Sequence, residues 1–463
     1  MDLIIKGGKI VTDTDQFIGD IGVKDGKIAK IGDNLSDENA EYIDASGKYV
    51  LPGMIDAHVH LSLPVGDIIT SDTWESGTRA AAAAGITTII DFATQTGDEP
   101  LVHAINERKA EADGEIYIDY SLHGGIAKWN SSRKAEIKGI CESGITSFKM
   151  FMTYRSRGLL STDEMITEAM EETKKYGGII LLHAEADDII EDLRSKHCSK
   201  EEMEQYGVYL HVITRPNEAE ANAIERAIQM VENSGGTAYI VHMSTKEGYR
   251  LVSDARKRGI SVIGETCPQY LLLDESVFKR ENGHLYATCP QVKTKQDSKE
   301  LWEGLANGSL NVIGTDNCTF STDQKALWKG DYRNLPMGMP GIELMVPLIH
   351  SEGVEKGILT INQMVAIACT NPAKIYGLFP RKGALMVGSD ADIVVFDPKK
   401  EYTVDFREME TNCDWNPYQG MKIKGRAEVT ILRGKVVGRD GKCVGNKGYG
   451  MFIPRAASGN KIP

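Results

Sequence analysis

The chain has 463 residues, longer than one ordinary domain, and 41% of them are hydrophobic, enough for a large buried core. Its formal net charge is −13, from 66 acidic and 53 basic residues, which argues against a nucleic-acid or anionic-membrane partner. The eight cysteines form no C-x-x-C pair, and neither a leader nor a membrane-length apolar run is evident. We therefore expect a cytoplasmic protein with reduced thiols.

The two ends of the chain share a pattern of short strand-like runs. Residues 1–52 contain short β-like runs that are broken by glycine and aspartate, as in a small sheet with tight turns. Runs of the same kind return in residues 382–463. We expect these two segments to form one domain together.

Residues 53–381 alternate between strand-like runs and amphipathic segments of helix length. The predicted helices cover residues 71–84, 162–176, 218–232 and 248–258. Repeated β-then-α units of this length predict parallel strands, and hence an α/β fold with a (β/α)₈ TIM barrel. Such barrels carry their chemistry at the C-terminal ends of the strands.

Two histidines, His58 and His60, follow the apolar run 49–55. Side chains alternate between the two faces of a strand, so both imidazoles point the same way and can hold one metal ion. Taken alone, the pair fits a metal site and two structural or solvent-facing histidines about equally well.

Three further polar residues end apolar runs: His183 after 179–182, His242 after 238–241, and Asp316 after 311–315. Each one alone is compatible with a core histidine or a loop-capping aspartate. All three, however, follow strand-like runs, as His58 and His60 do. Together they predict a metal centre at the mouth of the barrel.

Lys149 lies inside the apolar run 145–152, which reads as a buried strand. Burying a free ammonium in an apolar strand costs a large amount of free energy. One explanation is that burial keeps the amine neutral, so that it adds carbon dioxide and becomes a carbamate bridging two metal ions about 3.5–4 Å apart. The alternative is a lysine that reaches from the strand end to solvent.

Seven motifs occur in one order: H-V-H, S-F-K-M-F-M, L-L-H-A-E, Y-I-V-H-M-S, E-T-C-P-Q-Y, G-T-D-N-C-T-F and G-M-P-G-I-E. Motifs of this kind in this order resemble the hydantoinase and dihydropyrimidinase branch of the amidohydrolase superfamily. The resemblance covers nearly the whole chain. The resemblance implies a catalytic barrel at 53–381 and a β-sandwich formed by 1–52 and 382–463. It also implies a homotetramer or homodimer that acts on a small cyclic ureide.

The resemblance further implies two divalent metal ions, with Zn²⁺ expected, although the ligands also suit manganese, cobalt or iron. It assigns His58, His60 and Asp316 to the more buried ion, a carbamate on Lys149 to the bridge, and His183 with His242 to the second ion.

The mechanism implied by the resemblance is hydrolysis of a ring amide. A hydroxide between the metals attacks the carbonyl, while Asp316 takes the water's proton and delivers it to the leaving nitrogen. Tyr154 donates a hydrogen bond to the developing oxyanion, although it also fits a loop aromatic packed over the barrel mouth. The product is an N-carbamoyl amino acid.

Three positions depart from the family pattern. Cys289 stands where relatives usually carry serine, Met337 where they carry asparagine, and Asn317 where they commonly carry histidine. Since the family reads the ureide at the first two positions mainly through backbone groups, substrate binding at Cys289 and Met337 is still expected, in a less polar pocket. Asn317 is expected to alter the contacts that orient Asp316.

Rival functions remain. An allantoinase or another cyclic amidohydrolase uses the same metal chemistry on a different ureide. A dihydroorotase-like enzyme is disfavoured, because Ser62 stands where an arginine would hold the substrate carboxylate. A non-catalytic relative is disfavoured too, because all six candidate metal ligands are present.

Overall fold

The computed structural model describes residues 1–457. The strands are β1 (Leu3–Val11), β2 (Gln16–Lys24), β3 (Lys27–Gly32), β4 (Glu41–Asp44), β5 (Tyr49–Pro52), β6 (Met54–Val59), β7 (Pro64–Val65), β8 (Ile68–Ile69), β9 (Ile86–Thr94), β10 (Asp119–Gly125), β11 (Ser147–Phe151), β12 (Ile179–His183), β13 (Ala238–Ile240), β14 (Val262–Thr266), β15 (Val312–Ile313), β16 (Ile393–Thr403), β17 (Lys422–Leu432), β18 (Lys435–Arg439) and β19 (Lys442–Cys443). The α-helices are α1 (Trp74–Ala84), α2 (Leu101–Ala112), α3 (Ser131–Glu142), α4 (Asp163–Lys174), α5 (Asp187–Lys196), α6 (Lys200–Tyr206), α7 (Leu210–Ile213), α8 (Asn217–Ser234), α9 (Lys246–Lys257), α10 (Pro268–Leu272), α11 (Lys295–Asn307), α12 (Thr322–Lys325), α13 (Met345–Ile349), α14 (Ile361–Val365) and α15 (Asn371–Ile375).

Eight parallel strands form the central sheet, in the order β15, β14, β13, β12, β11, β10, β9 and β6. The first and last strands meet through a parallel bridge between Val59 and Asn317, and the His60 N–H donates to the Asn317 carbonyl at 2.9 Å. Helices of more than one turn follow most of these strands. The predicted (β/α)₈ barrel is therefore confirmed.

The four predicted barrel helices are also confirmed, as α1, α4, α8 and α9. Their bounds are set by capping groups that the apolar pattern does not reveal. Helix α1 begins only after Thr73, whose hydroxyl accepts from the Ser76 N–H in a capping box. It ends at Ala84, just before Gly85, whose φ of 94° lies in the left-handed region that favours glycine.

The chain ends form a second, nine-stranded sheet, in which β5 pairs antiparallel with β16. Its apolar core gathers Ile5, Ile21, Val50, Val395 and Ile431 into one cluster. The prediction of one β-rich unit from both termini is therefore confirmed. We propose its limits as 1–52 and 382–463, the second segment including a C-terminal tail of which residues 458–463 lie outside the described chain, with the barrel at 53–381.

The last part of the described chain runs along the N-terminal ends of the barrel strands. The Ile453 N–H donates to the Tyr120 carbonyl at 2.7 Å, and the buried Arg455 guanidinium donates to the hydroxyls of Ser121 at 3.0 Å and Ser147 at 2.8 Å. This segment covers the end of the barrel opposite the predicted site. Within residues 1–457, no helix combines the length and the apolar character that crossing a membrane requires.

Candidate metal centre and active site

The predicted metal ligands lie at one mouth of the barrel, at or just after the ends of their strands. They are His58 in β6, His60 after it, Lys149 in β11, His183 at the end of β12, His242 after β13 and Asp316 after β15. His242 and Asp316 have φ angles of 39° and 51°, which are uncommon for residues other than glycine. Each such residue costs about 1–3 kcal/mol, so the surrounding structure must hold both in place.

The first cluster centres on Asp316. Its Oδ1 lies 3.2 Å from Nε2 of His58 and 3.2 Å from Nε2 of His60. The ligand atoms of these three residues all lie within 4.8 Å of one another. Lys149 Nζ lies 3.2 Å from the same His58 Nε2. The four side chains thus face a common point.

The second cluster joins the two remaining histidines. Nε2 of His242 lies 3.0 Å from Nδ1 of His183. The other ring nitrogen of His183, Nε2, lies 2.7 Å from Oε2 of Glu185, which leaves Nδ1 for the contact with His242. The rings of His58 and His242 stack with their centroids 5.4 Å apart, so the second cluster adjoins the first.

The protonation states of these groups favour the binding of a metal cation. Burial lowers the pKa of His58 and His242 well below the usual range, so both imidazoles are neutral. Burial also lowers the pKa of Lys149, whose exposure is only 4%. Although burial opposes it, the close contacts with His58 and His60 hold the pKa of Asp316 well below its usual value. Neutral imidazoles beside an ionised carboxylate are the forms that bind a divalent metal.

Glu265 was missed by the sequence analysis. This fully buried carboxylate in β14 lies 2.6 Å from Nδ1 of His58 and accepts from the His242 N–H at 2.9 Å and the Tyr239 hydroxyl at 2.8 Å. It therefore leaves His58 Nε2 free to face Asp316. An acidic residue inside an apolar strand is the same signal that singled out Lys149.

The Glu265→Gln variant should bind divalent metal about 10–100-fold more weakly, because the amide cannot fix the His58 ring as the carboxylate does. Competition with a chelator measures this affinity. Glu343→Gln is the matched control, since burial raises the pKa of Glu343 to about 8 and that carboxyl lies outside the cluster. Equal affinity in Glu265→Gln and the wild type would remove Glu265 from this role.

A cavity of about 890 Å³ opens above the clusters. Its wall includes all the predicted ligands except His58, which lies beneath, and all three residues predicted to contact substrate: Tyr154, Cys289 and Met337. Apolar side chains of the small hairpin formed by β7 and β8 line the same mouth. The predicted site residues therefore gather around one space that is large enough for a small ring compound.

Tyr154 follows β11 and has a φ of 69°, which turns the chain over the cavity. Its ring centroid lies 5.0 Å from that of His183. Burial raises the pKa of Tyr154 well above its usual value. The hydroxyl therefore keeps its proton and can donate a hydrogen bond beside the predicted metal ligands.

Asn317 is fully buried directly after Asp316. Its side-chain oxygen accepts from the N–H groups of Gly341 at 2.9 Å and Ile342 at 3.2 Å. Its amide lies 3.4 Å from Oδ2 of Asp72. These contacts anchor the chain where the carboxylate of Asp316 enters the cavity.

The amidohydrolase family matches residues 49–437. The D-hydantoinase of Geobacillus stearothermophilus is 42% identical over 99% of this chain and 98% of its own length, and the D-phenylhydantoinase of Escherichia coli K12 is 35% identical over 98% of each. A crystal structure of a D-hydantoinase superposes with a TM-score of 0.97 at 41% identity, over 99% of this chain and 100% of that one. The dihydropyrimidinase of Brevibacillus agri NCHU1002 gives 0.97 at 36%, over 100% of both chains. This chain therefore belongs to the amidohydrolase family, in its branch of hydantoinases and dihydropyrimidinases.

Proposed function

We propose that this enzyme hydrolyses a ring amide of a cyclic ureide, of the hydantoin or dihydropyrimidine type, to an N-carbamoyl amino acid. The observation that carries the proposal is the convergence of four histidines, one lysine and one aspartate beneath a cavity of about 890 Å³. The names of the relatives, D-hydantoinase and dihydropyrimidinase, support the class of substrate.

The proposed cofactors are two divalent ions, with Zn²⁺ as the expected metal, and a carbamate on Lys149. His58, His60 and Asp316 would hold one ion, and His183 with His242 the other. When bound, such a pair lowers the pKa of water and polarises the substrate carbonyl. The Lys149 amine would add carbon dioxide with loss of one proton, which gives an anion at a position where burial disfavours an ammonium.

The protein side chains would move the proton and stabilise charge. Asp316 would accept a proton from the attacking water and pass it to the ring nitrogen as the C–N bond breaks. The Tyr154 hydroxyl would donate to the carbonyl oxygen as that atom gains negative charge. Water is thereby added across the amide, with its oxygen on the carbonyl carbon and its hydrogen on the nitrogen.

The substrate's amide edge is proposed to contact the backbone near Cys289 and Met337. Both side chains line the cavity, together with Leu63, Phe151 and Leu159. This sulfur-containing and apolar surface would accommodate uncharged ring substituents.

A turnover panel tests this proposal with metal-loaded protein. Its substrates are dihydrouracil, hydantoin, a 5-substituted hydantoin, allantoin and dihydroorotate. We expect ring opening of the hydantoins or dihydrouracil, with chelator-sensitive release of an N-carbamoyl amino acid. Turnover of none of them would contradict the proposed function. A strong preference for allantoin or dihydroorotate would replace the proposed substrate class.

Tyr154→Phe should lower kcat about 10²–10³-fold with a smaller change in KM, because the lost hydrogen bond strengthens as the oxyanion forms. Steady-state kinetics on hydantoin measure both constants. Tyr209→Phe is the control, since that hydroxyl lies 3.4 Å from Glu275 and outside the cavity wall. An unchanged kcat in Tyr154→Phe would exclude the tyrosine from the reaction.

We also propose a homotetramer or homodimer in the cytoplasm. The family resemblance supports the assembly. The eight cysteines, which form no disulfide in the described chain, are consistent with a reducing compartment.

A further inference from the structure

Lys325 is a second buried lysine beside the cavity, at the end of α12. Its side chain has no solvent exposure. Its Nζ donates to the carbonyl of Ala287 at 2.8 Å and to the carbonyl of Pro336 at 2.7 Å. It is thus held by two backbone oxygens that lie far apart in sequence.

The surroundings of Lys325 offer it little other compensation for burial. No ion pair joins it to a carboxylate anywhere in residues 1–457. Burial lowers its pKa to about 7. The ring centroid of Phe320 lies 5.7 Å from Nζ. Burying an amine costs free energy unless hydrogen bonds replace those it made to water, and here the two carbonyls are what replace them.

The two acceptor carbonyls belong to the segments that are proposed to bind the substrate. Ala287 directly precedes Thr288 and Cys289, and Pro336 directly precedes Met337. The cavity is lined by Thr288, Cys289, Pro336 and Met337. The Gly338 N–H also donates to the Ala287 carbonyl, at 2.9 Å. Lys325 therefore ties the 287–289 segment to the 336–338 segment from behind the cavity wall.

We infer that Lys325 is a positioning residue for substrate recognition, an inference that rests on the proposed function. By holding both carbonyls, it sets the separation and the orientation of the backbone groups at 288–289 and 336–337. Recognition of a planar amide edge requires such groups to stay within about 0.5 Å of their working positions. Both hydrogen bonds that Lys325 donates within residues 1–457 go to these carbonyls and neither goes to a proposed metal ligand, so its effect should fall on substrate binding.

Lys325→Met keeps the length of the side chain but removes every donor. We expect KM for hydantoin to rise about tenfold or more, because two hydrogen bonds from a charged or strongly polarised amine are lost. We expect kcat to change by less than about threefold, since the atoms that take part in the reaction are untouched. Bound metal, measured by elemental analysis, should stay at the wild-type level.

Thr322→Val is the matched control on the same helix. Its hydroxyl and N–H bond to Asp414, and it contacts neither carbonyl, so KM should not change. If Lys325→Met fails to fold, Lys325→Gln, which keeps a shorter amide donor, replaces it, and its KM should also rise. An unchanged KM in a folded, metal-loaded variant would overturn this inference while the wild type still opens hydantoin. A wild type that opens no ureide would overturn the proposed function instead.

Discussion

Asp316→Asn should lower kcat by about 10²–10⁴-fold in a protein that remains folded. Asparagine keeps the shape of the side chain, and its oxygen can still face the histidines. It cannot accept a proton from water, however, and it contributes no negative charge between His58 and His60, whose Nε2 atoms each lie 3.2 Å from the aspartate. Steady-state kinetics on hydantoin, with circular dichroism to verify folding, measure the effect.

Asp323→Asn serves as the control for this loss of charge. Asp323 lies on α12, is exposed and lines no part of the cavity, so its substitution should leave turnover unchanged. Near-normal turnover in Asp316→Asn would mean that another group accepts the proton.

Lys149→Ala should abolish turnover and leave fewer than two metal ions bound per chain. The alanine side chain carries no nitrogen to form a carbamate, so the ligand proposed to join the two clusters is lost. Added acetate or propionate should restore part of the activity, because a short carboxylate fits the space vacated by the lysine and supplies two oxygens. Elemental analysis and kinetics with and without the acid measure both effects.

Lys128→Ala is the control for Lys149→Ala, since Lys128 is exposed and should contribute to neither metal content nor turnover. Two ions and full activity in Lys149→Ala would show that no bridge from this residue is needed.

The barrel was predictable because its signals are local. An apolar strand followed by an amphipathic helix is visible in a short window, and the ends of parallel strands meet at one edge. Lys149 stood out for a similar reason, since a charged residue interrupts a buried strand. The helix bounds were less accurate, because capping by residues such as Thr73 decides where a helix begins.

The supporting contacts of the site were not predictable in the same way. Glu265 holds His58 across 207 positions of sequence, and Lys325 reaches Ala287 across 38. No periodic pattern links such partners, since they meet only when the barrel closes. The positive φ angles of His242 and Asp316 depend likewise on the packing around them. Sequence patterns therefore located the candidate ligands, and tertiary structure supplied the groups that orient them.

A crystal grown with Zn²⁺ and bicarbonate would test the metal centre most directly, by anomalous diffraction at the zinc edge. We expect two peaks about 3.5–4 Å apart, one beside His58 and His60 and the other beside His183 and His242. Electron density should extend from Lys149 Nζ into a carboxyl group between the peaks. An unmodified Lys149 away from the metal in such a crystal would contradict the proposed centre.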